Sequence, residues 1–250
     1  NSDFSIKPHQ SFLKNFITKE SPYRSLLIYH GVGVGKTCSG VTIAENFRDH
    51  YARKGKRILI LSSSNIQIGW KKTIYSPDKD DNQCTGETFI NSGATKQREV
   101  NKLIKQYYEL MAYQSFSNYV TRLTTKELQR YPTLSLEEAK KQCIKRTFSN
   151  RLLIIDEVHH IRAEQGSGRE PADGKKKLMR ESVKTIEDII RYSDNIRLIL
   201  LTATPMFNKS TEIIWILNMM LLNDKRPLLQ EKNIFDRDGL LLPEKEGLLE

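Results

Sequence analysis

The 250 residues are enough for one large α/β domain or two small ones, and a hydrophobic content of 38% can build the core of an ordinary globular protein. The most apolar stretch, 213–222, is far too short to cross a bilayer, which excludes a membrane-spanning protein. Lys and Arg outnumber Asp and Glu by 40 to 30, and the net charge of +10 favours a polyanionic partner such as nucleic acid. Surplus lysines that only keep a protein soluble would give the same charge.

Cys38, Cys84 and Cys143 are far apart in the sequence, form no C-x-x-C pair and have no histidine at metal-ligand spacing. We therefore expect a reduced, intracellular protein without structural zinc. The first residues show no basic run followed by an apolar one, so we expect no secretory signal.

Short, β-rich apolar runs alternate along the chain with segments of helical periodicity. The predicted strands are 25–29, 57–61, 109–112, 151–155 and 196–202. The predicted helices are 36–50, 66–74, 96–106, 135–147, 177–192 and 210–221. A wholly apolar strand such as 152–155 must be covered on both faces, as helices cover a parallel sheet. The pattern therefore predicts an α/β fold with a mostly parallel sheet and helices on both faces.

Three stretches interrupt this alternation. Segments 76–87 and 163–177 carry proline, glycine and charged residues among few apolar ones and are predicted to be loops. Segment 121–150 is predicted to be a helical insertion in a single domain, 1–222, with a linker or the start of another segment at 223–250. The end of the insertion is basic, which fits either a nucleic-acid contact or a solvated helix face. Its basic residues are Lys140, Lys141, Lys145, Arg146 and Arg151.

A glycine-rich turn, H-G-V-G-V-G-K-T, joins the first predicted strand to the helix that follows it. Glycines let successive backbone N–H groups point inward, and the helix N-terminus adds partial positive charge, so the turn predicts a phosphate cradle. Lys36 can reach the β- and γ-phosphates of ATP, and the Thr37 hydroxyl can ligate Mg²⁺. A chance glycine-rich turn is the alternative, which the flanking strand and helix disfavour. The predicted nucleotide-binding residues are His30, Gly31, Val32, Gly33, Val34, Gly35, Lys36, Thr37 and Cys38.

An acidic pair follows the fourth predicted strand. Asp156 is predicted to hold Mg²⁺ through its water shell, and Glu157 to orient and deprotonate the attacking water. We expect His159 to sense the state of the γ-phosphate, and these three residues form the predicted catalytic set with Lys36. The fifth predicted strand ends in a run whose hydroxyls can bond to the acidic loop and couple it to the sheet. The residues of that run are Thr202, Ala203 and Thr204.

The order of these motifs, each at a strand end, resembles motifs I, II and III of superfamily-2 helicases. The resemblance implies a RecA-like P-loop lobe that uses ATP and Mg²⁺. His30 departs from the usual pattern, which has Gly or Ala at that position. Gln10, in I-K-P-H-Q, matches the family residue whose amide reads the adenine edge, although a polar residue on the first helix would look the same.

Two segments are similar to the nucleic-acid-tracking motifs of this superfamily. One follows the second predicted strand and has Trp70 farther on, and the other is L-M-A-Y-Q at 110–114. Chromatin-remodelling-type ATPases carry T-T-Y-E at the second place, so Ala112 replaces a hydroxyl residue. Hydroxyls and backbone amides suit phosphate contacts that carry no sequence information. The residues implied are Ser62, Ser63, Ser64, Tyr113 and Gln114.

The runs Y-H-G-V-G-V-G-K-T, I-I-D-E-V-H-H-I and L-L-T-A-T-P-M-F-N, with Glu212 and Ile213 downstream, resemble the viral branch of the superfamily. In large nucleocytoplasmic DNA viruses this branch includes the poxvirus-type nucleoside triphosphate phosphohydrolase and the small subunit of the early transcription factor. The resemblance covers roughly residues 4–222. It implies a DNA helicase or translocase that hydrolyses ATP during viral transcription. Its location would be the host cytoplasm and the virion, and other viral transcription subunits would be its partners.

Enzymes of this superfamily bind ATP between two RecA-like lobes, and arginines of the second lobe stabilise the transition state. No Q-x-x-G-R-x-x-R-like element follows residue 222, so we expect the present lobe alone to be a weak ATPase. Two alternatives stay open. One is a DNA-independent P-loop ATPase, and the other is a non-catalytic DNA-binding subunit that uses ATP binding as a switch, which an intact Glu157 disfavours.

Overall fold

The computed structural model describes residues 7–31, 33, 35–79, 83–159, 173–206, 210–236 and 238–242. Five strands in these residues form one sheet in the order β1-β5-β4-β2-β3. The strands are β1 Ser25–Tyr29, β2 Ile58–Leu61, β3 Tyr108–Met111, β4 Leu152–Asp156 and β5 Arg197–Thr202. Every pair of neighbouring strands is parallel. The predicted α/β fold with a parallel sheet is therefore confirmed.

Helices cover both faces of this sheet. They are α1 Pro8–Phe16, α2 Lys36–Ala52, α3 Gln67–Ile74, α4 Glu87–Ile90, α5 Gln97–Tyr107, α6 Tyr113–Arg130, α7 Leu136–Phe148, α8 Asp173–Tyr192 and α9 Glu212–Asn223. Helices α1 to α5 pack on one face, and α6 to α9 pack on the other. In the described part of the chain, none of these helices is long and apolar enough to cross a membrane.

The strands contribute to two cores because successive residues of a strand point to opposite faces of the sheet. In β4, Leu152 and Ile154 lie in the core shared with α2, whereas Leu153 and Ile155 lie in the core shared with α8. All four side chains are buried. Burial on both faces is the physical reason that residues 152–155 are all apolar, and that the sequence predicts this part of the sheet.

The helices predicted within 121–150 begin earlier than expected, because α6 starts at Tyr113, directly after β3. Phe116 of α6 and both Ile144 and Phe148 of α7 are buried against the sheet. The pair α6 and α7 is thus the crossover from β3 to β4, and it covers one face of the sheet.

The basic residues at the end of this crossover are paired within the protein. The ion pairs are Lys140 with Asp188, Lys145 with Asp194, Arg146 with Glu127, and Arg151 with Glu109. The fifth residue, Lys141, has its ammonium 5.8 Å from the ring centroid of Tyr192. These contacts favour an ion-paired helix face over a nucleic-acid contact.

The two predicted loops, 76–87 and 163–177, agree with the structure to different extents. Segment 76–87 is irregular apart from one 3-10 turn and the start of α4, and 80–82 lie outside the described residues. For segment 163–177 the prediction of a loop is wrong at 173–176, because the helix predicted to begin at 177 begins at Asp173. The remaining residues, 163–172, lie outside the described residues.

Two of the three cysteines are bonded to each other, so the expectation of a fully reduced protein is wrong. Cys38, in the first turn of α2, forms a disulfide with Cys84, and their Cα atoms are 5.5 Å apart. That separation is typical of disulfides. The pairing is hidden in the sequence because 46 residues separate the two cysteines. Cys143 is free and buried.

Candidate active site

Three strand ends bring the predicted motifs together at one edge of the sheet. Tyr29 at the end of β1 is in register with Thr202 at the end of β5, and Leu201 is in register with Asp156 at the end of β4. The backbone N–H of His30 donates to the carbonyl oxygen of Thr202 at 3.3 Å, which holds the glycine-rich turn against β5. Open parallel sheets bind ligands at this edge, outside the carboxyl ends of their strands.

The turn before α2 has the backbone shape of an anion cradle. Gly33 and Gly35 have φ angles of 83° and 90°, which glycine adopts without strain. Gly35 is the N-cap of α2, and no side chain caps this helix end, so the first N–H groups of the helix stay available for an anion. A Cβ on Gly31 or Gly33 would meet no atom within 4 Å, so the turn is open. Val32 and Val34 lie outside the described residues.

The first turn of α2 places the remaining phosphate-binding residues. Lys36 begins the helix, and Thr37 follows, half-buried. Cys38 is buried and bonded to Cys84 through its sulfur. Its predicted contact with the nucleotide is therefore open only to its backbone N–H, one of the first four of the helix.

The phosphate-binding lysine is paired with the acidic motif. Lys36 Nζ lies 3.1 Å from Glu157 Oε1. Glu157 has a φ of 53°, a left-handed conformation that costs energy in a non-glycine residue and concentrates at functional sites. Its Oε2 is buried and makes no hydrogen bond. A carboxylate beside the cradle, with one oxygen that makes no hydrogen bond, fits the role of proton acceptor.

His159 lies between the acidic pair and β5. Its Nδ1 is 2.8 Å from Thr202 Oγ1 and 3.3 Å from Glu157 Oε2. The Thr202 hydroxyl also accepts a hydrogen bond from the backbone N–H of Thr204 at 3.1 Å, while Ala203 is half-buried between them. The predicted bond between the hydroxyl run and the acidic loop is thus present, and its coupling role stays a prediction.

Asp156 is 5% exposed and is held from two sides. Its Oδ2 accepts a hydrogen bond from Trp70 Nε1 at 2.7 Å, and its carbonyl oxygen accepts one from the Tyr113 hydroxyl. Burial raises the pKa of Asp156, while the Trp70 bond acts in the opposite direction. Burial also raises the pKa of Tyr113. The sequence does not reveal Trp70 as part of this site, because 86 residues separate it from Asp156.

Gln10 lies beside the cradle with its amide engaged. Its Nε2 donates to the Gly35 carbonyl oxygen at 3.4 Å, and its Oε1 accepts from the backbone N–H of Lys7 at 3.0 Å. A predicted adenine contact would require the amide to exchange these partners. The rings of His9 and His30 meet edge to face nearby, 5.2 Å apart, and burial together with His9 lowers the pKa of His30.

The predicted nucleic-acid residues follow β2 and β3, which are neighbours at the same edge of the sheet. Ser62 is buried and donates to the Ser63 carbonyl oxygen at 3.3 Å, whereas Ser64 is exposed. Tyr113 uses its hydroxyl at the end of β4, and the amide of Gln114 donates within α6. The structure thus leaves Ser64 most open to solvent, and turns Tyr113 inward.

The comparison with known families agrees with this geometry. Residues 4–207 match the profile of the family described as "Type III restriction enzyme, res subunit", or ResIII. The chain belongs to the ResIII family. The glycine-rich turn, the acidic pair and the hydroxyl run of this ResIII chain all lie within the matched residues.

Relatives of this ResIII chain occur in large DNA viruses. "Putative ATP-dependent RNA helicase R563" of Acanthamoeba polyphaga mimivirus is 27% identical over 236 residues, which are 91% of this chain and 34% of that protein. "Putative helicase 009L" of Frog virus 3 is 28% identical over 249 residues, which are 95% of this chain and 22% of that protein. The ResIII chain thus spans between about a fifth and a third of these relatives. The resemblance to superfamily-2 ATPases of large nucleocytoplasmic DNA viruses is confirmed.

Among solved structures, the pCW3 conjugation coupling protein TcpA, in its monomer form with ATPγS, is 11% identical to this ResIII chain. The match covers 80% of this chain and 54% of that one, with a TM-score of 0.39.

Proposed function

We propose that this ResIII chain is the ATP-binding lobe of a nucleic-acid-dependent ATPase motor, a DNA helicase or translocase of superfamily 2. The observation that carries the proposal is the 3.1 Å contact between Lys36 and Glu157 beside an uncapped helix N-terminus. A phosphate-binding cation and a proton acceptor meet there, next to the buried carboxylate of Asp156.

The cradle and α2 are the parts that bind ATP. Their backbone N–H groups and the Lys36 ammonium face the phosphates. Thr37 and Asp156 are the residues that would hold Mg²⁺, the first through its hydroxyl and the second through the water shell. Bound Mg²⁺ neutralises charge that develops on the phosphates. One buried carboxylate and one half-buried hydroxyl fit this ion, which keeps several waters and shares its ligands with phosphate oxygens.

Glu157 is the residue that accepts the proton of the attacking water. In the structure, Lys36 occupies one of its oxygens. When Lys36 turns to the phosphates, Oε1 is released and becomes available to the water, while Oε2 stays beside His159. Phosphate binding therefore makes Glu157 available as the general base. His159, in contact with both Glu157 and Thr202, carries the change to the end of β5.

We infer that the partner is nucleic acid, and that it is DNA in preference to RNA. The net charge of +10, the exposed Ser64 at the same edge as the acidic pair, and relatives named as helicases support this inference. A second RecA-like lobe would supply the transition-state arginines. A role in viral transcription, with other viral subunits in the host cytoplasm and virion, belongs to the same proposal and rests on the resemblance to the poxvirus-type enzymes.

The proposal is tested by the steady-state ATPase rate of the full-length protein without nucleic acid and with single-stranded DNA, duplex DNA or RNA. We expect DNA to raise the rate. Glu157→Gln should keep Mg²⁺·ATP bound and abolish turnover under every condition, since only the proton acceptor is lost. Equal rates under all four conditions would identify a DNA-independent ATPase. ATP binding without turnover in the wild type would identify a switch subunit instead.

A further inference from the structure

Trp70 reaches the metal-binding carboxylate from the helix that follows β2. Its Nε1 donates to Asp156 Oδ2 at 2.7 Å, and its side chain is 1% exposed. An indole N–H only donates and an ionised carboxylate only accepts, so the bond cannot reverse its direction. Hydrogen bonds to a charged acceptor are the stronger kind. The bond therefore fixes the orientation of the Asp156 carboxylate.

The Trp70 ring is confined on its other side by the phosphate-binding helix. A Cβ placed on Gly40 of α2 would lie 2.8 Å from Trp70 Cη2, so only glycine leaves room for the ring. Trp70 is therefore packed between α2, whose first residues are Lys36 and Thr37, and the end of β4. In a close-packed interior, a displacement of α3 must be transmitted to one of these two neighbours.

Helix α3 is continuous with the segment proposed to meet nucleic acid. The 3-10 turn Ser64–Ile66 leads directly into α3, which carries Trp70, and Ser64 is exposed at the start of that turn. A phosphate held there would act on the N-terminal end of α3. From the start of α6, directly after β3, the Tyr113 hydroxyl donates to the carbonyl oxygen of Asp156. Both predicted tracking segments thus contact the same metal-binding residue.

We propose that Trp70 is a positioning residue that couples nucleic-acid contact at the end of β2 to Mg²⁺·nucleotide binding at Asp156, an inference that rests on the proposed function. Trp70 is buried and acts through Asp156. Because coupling free energies are reciprocal, Mg²⁺·nucleotide tightens nucleic-acid binding by the factor by which nucleic acid tightens Mg²⁺·nucleotide binding.

The two tryptophans of the chain provide a matched pair of variants. Trp70→Phe keeps an aromatic ring and removes the N–H that Asp156 accepts. Trp215→Phe makes the same change in α9, on the other face of the sheet, where Nε1 donates to Glu187 at 2.9 Å. For each protein, the affinity for a labelled single-stranded DNA is measured by fluorescence anisotropy, with and without Mg²⁺ and a non-hydrolysable ATP analogue.

Wild type and Trp215→Phe should bind the DNA at least about 5-fold more tightly when Mg²⁺ and the analogue are present. Trp70→Phe should lose most of this nucleotide-dependent rise in DNA affinity. It should also need about 10-fold more Mg²⁺ to bind the analogue, because the Asp156 carboxylate has lost a charged hydrogen bond. A Trp70→Phe protein with the wild-type change in DNA affinity would overturn the inference and leave the proposed function standing. Wild type that binds no DNA would instead overturn the proposed function, and the inference with it.

A second measurement does not depend on the folding of Trp70→Phe. In the Trp215→Phe variant, Trp70 is the sole remaining tryptophan, so the intrinsic emission reports its surroundings. We expect the emission to change when Mg²⁺ and the analogue are added, and to change again when DNA is added. Emission that responds to neither addition, in a protein that binds both ligands, would overturn the inference.

Discussion

At the scale of single residues, we propose that the site is a set of side chains that exchange partners when ATP binds. Lys36 contacts Glu157, and Gln10 donates to the backbone of Gly35. The phosphates of ATP compete with Glu157 for the Lys36 ammonium, and an adenine base would compete with Gly35 for the Gln10 amide. The loss of either side chain should therefore affect ATP binding more than folding.

The first prediction concerns Lys36→Ala. Removing the ammonium should weaken Mg²⁺·ATP binding by at least about 10-fold, because a charged hydrogen bond to phosphate is lost. The fold should be retained, since Lys36 is a half-buried residue at the start of α2 and outside both cores. Calorimetric titration and a thermal melt measure the two effects, with Lys72→Ala, exposed on α3, as the control. Equal ATP affinity for Lys36→Ala and wild type would refute the assignment of this lysine.

The second prediction concerns Glu45, a half-buried residue of α2. It accepts hydrogen bonds from Arg48 and from the Tyr108 hydroxyl. Burial nevertheless raises the pKa of Glu45 to about 7, with Asp49 adding to the rise and Lys14 opposing it. A carboxyl whose pKa is higher in the folded protein stabilises it below the unfolded-state pKa, and that stability is lost as pH rises through about 7.

Glu45→Gln removes this titration. The free energy of unfolding of wild type, relative to Glu45→Gln, should therefore fall by about 1–3 kcal/mol between roughly pH 5 and pH 8. Urea unfolding of both proteins at the two pH values measures the difference. A difference that does not change with pH would show that Glu45 does not titrate in this range.

At the scale of elements, the ends of β2 and β3 carry the proposed nucleic-acid contact. The groups there are hydroxyls, backbone amides and nearby lysines, which bind phosphates and carry no base information. Since one lobe offers only part of the contact surface, we expect weak binding that neutralises about three to five phosphates.

The logarithm of the affinity for DNA should then fall with the logarithm of salt concentration at a slope of roughly −3 to −4. Anisotropy titrations over a salt series, with two unrelated DNA sequences, measure this slope. A flat salt dependence, or a strong preference for one sequence, would contradict the assignment of these segments.

The elements that the sequence predicts well are those with a local cause. Strand β1 is found with its observed bounds, and β4 to within one residue at each end, because an apolar run bounded by polar turns leaves few alternatives. That Lys36 and Glu157 lie together could be predicted because each belongs to a contiguous motif at a strand end. Apolar periodicity does not predict the start of α6 at Tyr113, because polar residues interrupt the pattern there.

The contacts that the sequence does not predict join distant segments. Trp70 and Asp156 are 86 residues apart, and Cys38 and Cys84 are 46 apart. Both contacts depend on how α3 and the chain after it return to α2, which no local pattern encodes. The sequence does not predict the ion pairs of the basic residues in α7 for the same reason, because the acidic partner of Lys140 lies in α8.

At the scale of the whole molecule, the described lobe contains the groups that we propose bind ATP in its ground state. The cradle, Lys36, Thr37 and Asp156 all lie within the part that matches the ResIII family, and the curated relatives are several times longer than this chain. Arginines from a second lobe meet charge that develops only in the transition state. Interactions made only in the transition state raise turnover and leave ground-state binding unchanged.

The central claim is that this chain is one lobe of a two-lobed ATPase motor. It is tested most directly by measuring nucleotide affinity and steady-state ATPase with saturating DNA, for residues 1–250 and for a protein that also carries the second lobe. We predict similar ATP affinities, and a turnover about 10³-fold or more higher in the longer protein, as expected when arginines are supplied to the transition state. If residues 1–250 alone already hydrolyse ATP at the rate of the longer protein, the two-lobed motor is contradicted and a self-contained P-loop ATPase takes its place.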